Sequence, residues 1–192
     1  TAAVKANQSI TVTTLAPAAA VYNTSFTVEA TASSGLLVAI TTTGVCSGSG
    51  SGSATITMTS GTGTCAVHYN QSGDANYNAA PEVTSNTTAT KANAVIVVTP
   101  YSVIYDGAAH TATGTATGVE SPTPVDLSSL LDLSGTTHTN AGSYASDPWT
   151  FAGNTNYNAT SGTVSDSIAK ANTTTAITSD APDASILGQP VT

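Results

Sequence analysis

Residues 26–32 read FTVEATA and alternate between apolar and polar side chains. Successive side chains of an extended strand point to opposite faces, so this period of two predicts a half-buried β-strand. Further short strand patterns, separated by turn signals such as SSG and SGTG, lie at residues 9–13, 37–42, 54–59, 64–69 and 83–90. Six or seven strands at this spacing predict a Greek-key β-sandwich.

A second series of strand patterns follows residue 93. It begins with AVIVVTP and continues at residues 103–105, 110–117, 143–151 and 163–168. The least β-like stretch is DLSSLLDLSG at residues 126–135. Its leucines suit either one helical turn or a short strand, and both alternatives stay open.

Two motifs recur along the chain. The pattern G-x-x-N-Y-N-A occurs at residues 73–79 and 153–159, and Lys-Ala-Asn occurs at residues 5–7, 91–93 and 170–172. We interpret the Lys-Ala-Asn tripeptides as linkers that bracket two units, which is typical of a tandem array. The predicted organisation is the end of a preceding repeat or a linker (1–6), one sandwich (7–90), a second sandwich (91–169), and the first strand of a further repeat or a donor strand (170–192).

Tyr77 and Tyr157 stand at the centres of the two N-Y-N motifs. Gly and Asn tolerate left-handed turns and a Tyr ring can cover the end of a sandwich, so both are predicted structural corners. The alternative is a calcium loop, since Asp74 begins a D-x-N-x-N spacing. Ser85 stands where an EF-hand places its bidentate Glu, and the second copy has Asn154 in place of the Asp. No metal or cofactor is therefore predicted.

Cys46 and Cys65 are the only cysteines. Two cysteines cannot complete a tetrahedral metal site, so we predict a disulfide that stabilises the first sandwich by about 3 kcal/mol. Two buried free thiols in a reducing compartment are the alternative.

Composition excludes several partners. The formal net charge is -8, and the three lysines of the Lys-Ala-Asn tripeptides are the only Lys or Arg residues. Proteins that bind nucleic acid need clustered cations, so no nucleic-acid binding is expected, and an anionic membrane surface is disfavoured likewise. The apolar runs are far too short to cross a bilayer, so no membrane insertion is expected.

No pattern typical of an enzyme is present. The three histidines, His68, His110 and His138, are isolated in sequence and are interpreted as exposed strand residues. No G-x-S-x-G elbow occurs. Trp149, the only Trp, is predicted to anchor the core, with a sugar-stacking platform as the alternative.

Longer phrases carry a resemblance to known families. The first unit resembles a bacterial immunoglobulin-like (Ig-like) repeat through FTVEATASSGLLVAITTTGVCSGSG, SGTGTC and GDANYNAAP. The second unit is similar to the MBG repeats of giant bacterial surface proteins through YDGAAHTATGTATGV, LLDLSGTTHTNAGSY, WTFAGNTNYNATSGTV and IAKAN. Residues 173–192 resemble the opening of a further Ig-like repeat.

The resemblance implies an all-β, elongated array of Ig-like sandwiches on a bacterial cell surface, outside the cell. The expected function is that of a non-enzymatic stalk, spacer or fibre in an adhesin-like protein, with neighbouring repeats or copies of itself as partners. One alternative is a filament subunit joined by strand addition through residues 173–192. Another is a carbohydrate-binding adhesive module that uses Trp149 to contact surface glycans.

Overall fold

The computed structural model describes residues 4–176, and its architecture is all-β, as predicted. Among these residues there are fifteen strands, two short 3-10 helices and no α-helix. The strands are β1 (Ile10–Thr14), β2 (Ala19–Val21), β3 (Ser25–Ala32), β4 (Ala39–Gly44), β5 (Cys46–Ser47), β6 (Gly50–Ser51), β7 (Ser53–Met58), β8 (Thr64–Asn70), β9 (Val83–Thr90), β10 (Val95–Thr99), β11 (Ser102–Ile104), β12 (Thr113–Thr117), β13 (Leu131–Asp132), β14 (Gly142–Phe151) and β15 (Thr160–Ala169).

Strands β1–β9 pair in the order β1-β3-β7-β6-β4-β8-β9-β2, and β5 pairs with β7. We call this set the N-terminal sandwich. The short strand β6 joins the β1-β3-β7 half to the β4-β8-β9-β2 half, and apolar side chains from both halves share one core. Its largest fully buried apolar residues are Val28, Val38, Ile40, Ile56, Met58, Val67 and Tyr69. The FTVEATA pattern is confirmed, because β3 buries Val28, Ala30 and Ala32.

Strands β10–β15 form the C-terminal sandwich, whose sheets are β10-β12 and β11-β15-β14-β13. The β10-β12 pair matches the pairing of β1 with β3, and the order β11-β15-β14-β13 matches the order β2-β9-β8-β4 in the N-terminal sandwich. The edge pairs β2–β9 and β11–β15 are both parallel. The smaller core of this sandwich is built from Ala92, Ala116, Leu127, Phe151 and Tyr157.

The leucine-rich stretch combines the two alternatives that the sequence left open. Ser128–Leu130 forms one 3-10 turn, the two-residue strand β13 follows, and Ser134–Thr136 forms a second 3-10 turn. Leu127 is buried in the core ahead of the first turn. The leucines therefore fill the sandwich without a regular helix.

The predicted donor strand at residues 173–192 lies mostly outside the described residues. Residues 173–176 have no regular secondary structure, and the remainder of that segment is not described.

Candidate functional site

The first two Lys-Ala-Asn tripeptides, at residues 5–7 and 91–93, each bind the N-Y-N corner of their own sandwich. The Ala6 amide donates to the Asn76 carbonyl at 2.8 Å, and the Asn78 amide donates to the Ala6 carbonyl at 2.8 Å. In the C-terminal sandwich, Ala92 makes the same pair of bonds to Asn156 and Asn158, each 2.9 Å long. Residues 5–7 and 91–93, which the sequence analysis interprets as linkers, thus also form the first bridged segment of the sandwich that follows them.

Side chains complete this arrangement, which we call the clasp. The side-chain Nδ2 of Asn78 donates to Asn7 Oδ1 at 2.9 Å, and the side-chain Nδ2 of Asn158 donates to Asn93 Oδ1 at 2.8 Å. The clasp explains why the chain repeats both motifs, because the Asn residues of each motif contact those of the other.

The first residues of each motif shape the turn. Oδ1 of Asp74 accepts hydrogen bonds from two backbone amides, and Oδ1 of Asn154 accepts the matching pair. Gly73 adopts a φ of 76°, and a Cβ there would lie 2.4 Å from the Tyr77 carbonyl oxygen. Asp74 thus acts as a turn cap that Asn can replace, which is why the second copy keeps the geometry without a carboxylate.

The two corner tyrosines have different surroundings. Tyr157 is only 2% exposed, whereas Tyr77 is half-buried. Tyr157 is covered by Tyr22 of the N-terminal sandwich, whose ring packs edge-on with centroids 5.7 Å apart at an interplanar angle of 79°. Both hydroxyls donate to Oε1 of Glu120. The carboxylate of Glu120 therefore binds one tyrosine from each sandwich.

Further polar contacts extend this surface, which we call the joint. Asn23 donates to the Val119 carbonyl at 3.0 Å, and the Gly61 amide donates to Asn156 Oδ1 at 2.9 Å. A Cβ at Gly61 would lie 2.7 Å from the Thr155 carbonyl oxygen, so the backbones meet there without room for a side chain. The joint comprises Tyr22, Asn23 and Gly61 from one sandwich and Val119, Glu120, Asn156 and Tyr157 from the other.

The charge state of the joint follows from its burial and hydrogen bonds. Burial, and then the hydrogen bond to Glu120, raise the pKa of Tyr157 to about 12. Burial opposes the charge on Glu120, but hydrogen bonds from Tyr157, the Val125 amide and Tyr22 outweigh it and hold the pKa of Glu120 below its usual value. At neutral pH the joint holds an ionised carboxylate between two protonated phenols.

Titration provides a test of this arrangement. The folded protein favours protonated Tyr157, so its contribution to stability is complete below about pH 10, the unperturbed Tyr pKa, and is lost as the pH rises through a folded pKa of about 12. We expect tyrosinate absorbance to show a late phase that Tyr157→Phe reduces by one tyrosine, since burial also raises the pKa of Tyr22 and Tyr101. Tyr77→Phe is the matched control and should leave that late phase in place. A wild-type curve without a late phase would contradict the joint.

A buried acidic cluster in the C-terminal sandwich escaped the sequence-based predictions. Asp166 is 2% exposed and Asp147 is 8% exposed. Oδ1 of Asp166 accepts a hydrogen bond from the Tyr101 amide at 2.8 Å, but Oδ2 has no hydrogen-bond partner among the described residues. Nε2 of His138 lies 2.9 Å from Oδ2 of Asp147, in a contact whose atoms are not aligned for a hydrogen bond. Burial, and the neighbouring Asp147 carboxyl, raise the pKa of Asp166 against the effect of the Tyr101 amide.

Asp166→Asn should stabilise the C-terminal sandwich at neutral pH by about 1 kcal/mol, the scale of an unsatisfied buried polar group. Asn keeps an acceptor for the Tyr101 amide and removes a buried charge. Because the folded pKa is raised, Asp166 contributes a loss of stability as the pH climbs above about 3.9, and the variant lacks this contribution. Urea unfolding followed by Trp149 fluorescence at neutral and acidic pH measures this difference. Equal destabilisation by Asp166→Asn and Asp166→Ala at neutral pH would contradict it.

The histidines are neither isolated nor fully exposed, which corrects the sequence-based interpretation. Each is half-buried and lies near a carboxylate. The pairs are His68–Glu82 at 2.7 Å, His110–Asp106 at 2.9 Å and His138–Asp147 at 2.9 Å. His138 also stacks on Tyr144 with ring centroids 3.5 Å apart. The partners come from turns and neighbouring strands, which spacing along the sequence does not show.

Trp149 packs against the core of the C-terminal sandwich with part of its ring in a shallow groove of about 340 Å³. The indole covers Gly162 on the paired strand, where a Cβ would lie 2.4 Å from the ring. The groove is also lined by Asn93, Asn158 and Thr160. Trp149 thus contacts the core while also lining a polar groove.

Cys46 and Cys65 form the predicted disulfide. Cys46 lies in β5, which pairs with β7, and Cys65 lies in β8 of the opposite half. The bond therefore ties the two halves of the N-terminal sandwich together beside their core.

No family model matches this chain, and no curated protein matches it. Within residues 4–176, no helix has the length and apolar character needed to cross a bilayer.

Proposed function

We propose that this chain is a non-enzymatic structural section of a bacterial extracellular surface protein, where Ig-like and MBG-type repeats act as a stalk or spacer. The joint is the observation that carries the proposal. Two sandwiches that share an edge-on tyrosine pair, a carboxylate and a close backbone approach are held in one orientation instead of being joined by a free linker. A spacer needs this property, because free hinges would let its ends collapse together.

The disulfide and the surface composition suit an extracellular location. Disulfides persist in oxidising compartments, and Cys46 and Cys65 are bonded. Charged residues are only 7% of the chain, so its surface offers few sites for electrostatic attraction.

The ends of each sandwich suit resistance to stretching. In both sandwiches an early strand lies parallel to the last strand, with the registers Ala19↔Thr88 and Ser102↔Ser167. Tension on the two ends of a sandwich pulls these parallel strands in opposite directions along their length. This shear loads all hydrogen bonds between the two strands at once. The clasp adds further bonds at the start of each sandwich.

Single-molecule stretching of the full chain tests the proposal. We expect two discrete unfolding events, one for each sandwich. The disulfide spans 19 positions, so reduction should lengthen one event by about 65 Å, at roughly 3.4 Å per residue. Extension without discrete events, in both oxidised and reduced protein, would contradict a mechanical role.

The Trp149 groove favours a second candidate function, a carbohydrate-binding adhesive module. A half-buried indole beside Asn and Thr residues in a groove is a suitable surface for a sugar ring. Binding on a glycan array that Trp149→Phe weakens would support it, and an array without signal would dismiss it.

A further inference from the structure

The far end of the C-terminal sandwich repeats the elements with which the N-terminal sandwich builds its side of the joint. Tyr22 follows β2, and its amide donates to the Thr90 carbonyl at 2.8 Å. Tyr105 follows β11, and its amide donates to the Ala169 carbonyl at 2.8 Å. Thr90 and Ala169 each immediately precede a Lys-Ala-Asn tripeptide. Tyr105 therefore occupies the position of Tyr22, and residues 170–172 occupy that of residues 91–93.

A loop beside these elements is repeated as well. Gly61 lies just before β8, which pairs with β9 in the register Thr64↔Thr88. Asn140 lies just before β14, which pairs with β15 in the register Gly142↔Ile168. In the N-terminal sandwich, Thr88 lies three residues before the tripeptide, and Gly61 lies three residues before its partner Thr64. In the C-terminal sandwich, Ile168 lies two residues before the tripeptide, and Asn140 lies two residues before its partner Gly142. Asn140 therefore has the position that Gly61 has in the N-terminal sandwich.

The two equivalent surfaces differ in occupancy. Tyr22 is covered by the corner tyrosine of the next sandwich, whereas Tyr105 is 43% exposed. Tyr105 lies in an open cleft of about 420 Å³, which we call the terminal cleft. Its lining residues are Tyr105, Asn140, Ala141, Lys170, Ala171 and Thr173.

We propose that the terminal cleft binds the Asn-Tyr-Asn corner of a following β-sandwich whose clasp is formed by Lys170–Asn172. This inference rests on the proposed spacer function and names the partner of that surface. The incoming corner tyrosine packs edge-on against Tyr105, as Tyr157 packs against Tyr22. The side chain of Asn140 keeps the corner farther out than Gly61 does, and its amide takes the place of the Gly61 amide as donor.

The probe is the chain's own C-terminal sandwich. A second copy of residues 94–169 replaces residues 173–192, so that Asn172 leads directly into it and the copied corner lies within reach of Tyr105. We expect residual dipolar couplings to report one common alignment for residues 94–169 and for the copy, with proton contacts between Tyr105 and the copied Tyr157. Tyr105→Ala should abolish the common alignment, and Tyr105→Phe, which keeps the ring, should preserve it.

Controls separate the outcomes. In the unextended chain Tyr105→Ala should lower the thermal midpoint only slightly, because Tyr105 is already 43% exposed. A copy that tumbles independently while the joint at Tyr22 stays ordered would overturn the inference and leave the spacer function standing. If the appended copy and the joint at Tyr22 are both mobile, the spacer function itself is refuted. A third outcome is that unextended chains associate, that Tyr105→Ala abolishes this association, and that the appended copy tumbles independently. This result would overturn the inference in favour of docking between copies of the chain.

Discussion

Tyr157→Ala should destabilise the C-terminal sandwich by about 3–5 kcal/mol, the range for truncating a buried aromatic side chain. Tyr157 is 2% exposed, and its hydroxyl donates to Glu120 and accepts a hydrogen bond from the Val119 amide at 3.0 Å. The substitution leaves a cavity and exposes a carboxylate that has lost its main donor. Trp149 is the only Trp, so fluorescence during urea unfolding reports this sandwich selectively.

The other corner is the matched control. Tyr77 lies in the equivalent clasp of the N-terminal sandwich but is only half-buried. Tyr77→Ala should therefore cost only about 1 kcal/mol, the scale of partial burial of one side chain. Hydrogen exchange in β8 measures this cost in the N-terminal sandwich. Equal losses at Tyr77 and Tyr157 would show that the joint contributes nothing to stability.

Replacing both cysteines by Ala should destabilise the N-terminal sandwich by about 3 kcal/mol, as expected for freeing a loop of this length. The disulfide closes a loop with a sequence separation of 19. For a domain of this size, that loss lowers the melting temperature by on the order of 15 °C. Differential scanning calorimetry should show one of two transitions shifting while the transition of the C-terminal sandwich stays in place.

The Trp149 fluorescence transition is the internal control, because Trp149 belongs to the other sandwich. A shift of both transitions by the same amount would mean that the sandwiches unfold as one unit. An unchanged calorimetric trace would contradict a stabilising disulfide.

The sequence predicted the all-β architecture because the signals are local. Alternation along FTVEATA and the turns between strands depend only on near neighbours, and the disulfide follows from there being two cysteines. The corner motif was also visible, since Gly73 and Gly153 recur at matched positions. These features need no knowledge of which strands meet in space.

The joint could not be predicted in this way. Glu120 is one acidic residue in a loop, and nothing in its sequence neighbourhood shows that Tyr22, 98 positions away, donates a hydrogen bond to it. The acidic cluster was missed for the same reason, because Asp147 and Asp166 lie on different strands. The clasp is the one part of the site that the sequence could have revealed, since two motifs that recur together can be expected to touch.

The proposed spacer function requires that the two sandwiches share one orientation in solution. Residual dipolar couplings measured on the intact chain should fit a single alignment tensor for residues 10–90 and 95–169. Gly61→Ala should split that tensor into two, because its Cβ would lie 2.7 Å from the Thr155 carbonyl oxygen, while each sandwich keeps its own couplings. Two independent tensors in the unmodified chain would contradict the stiff joint and the spacer function built on it.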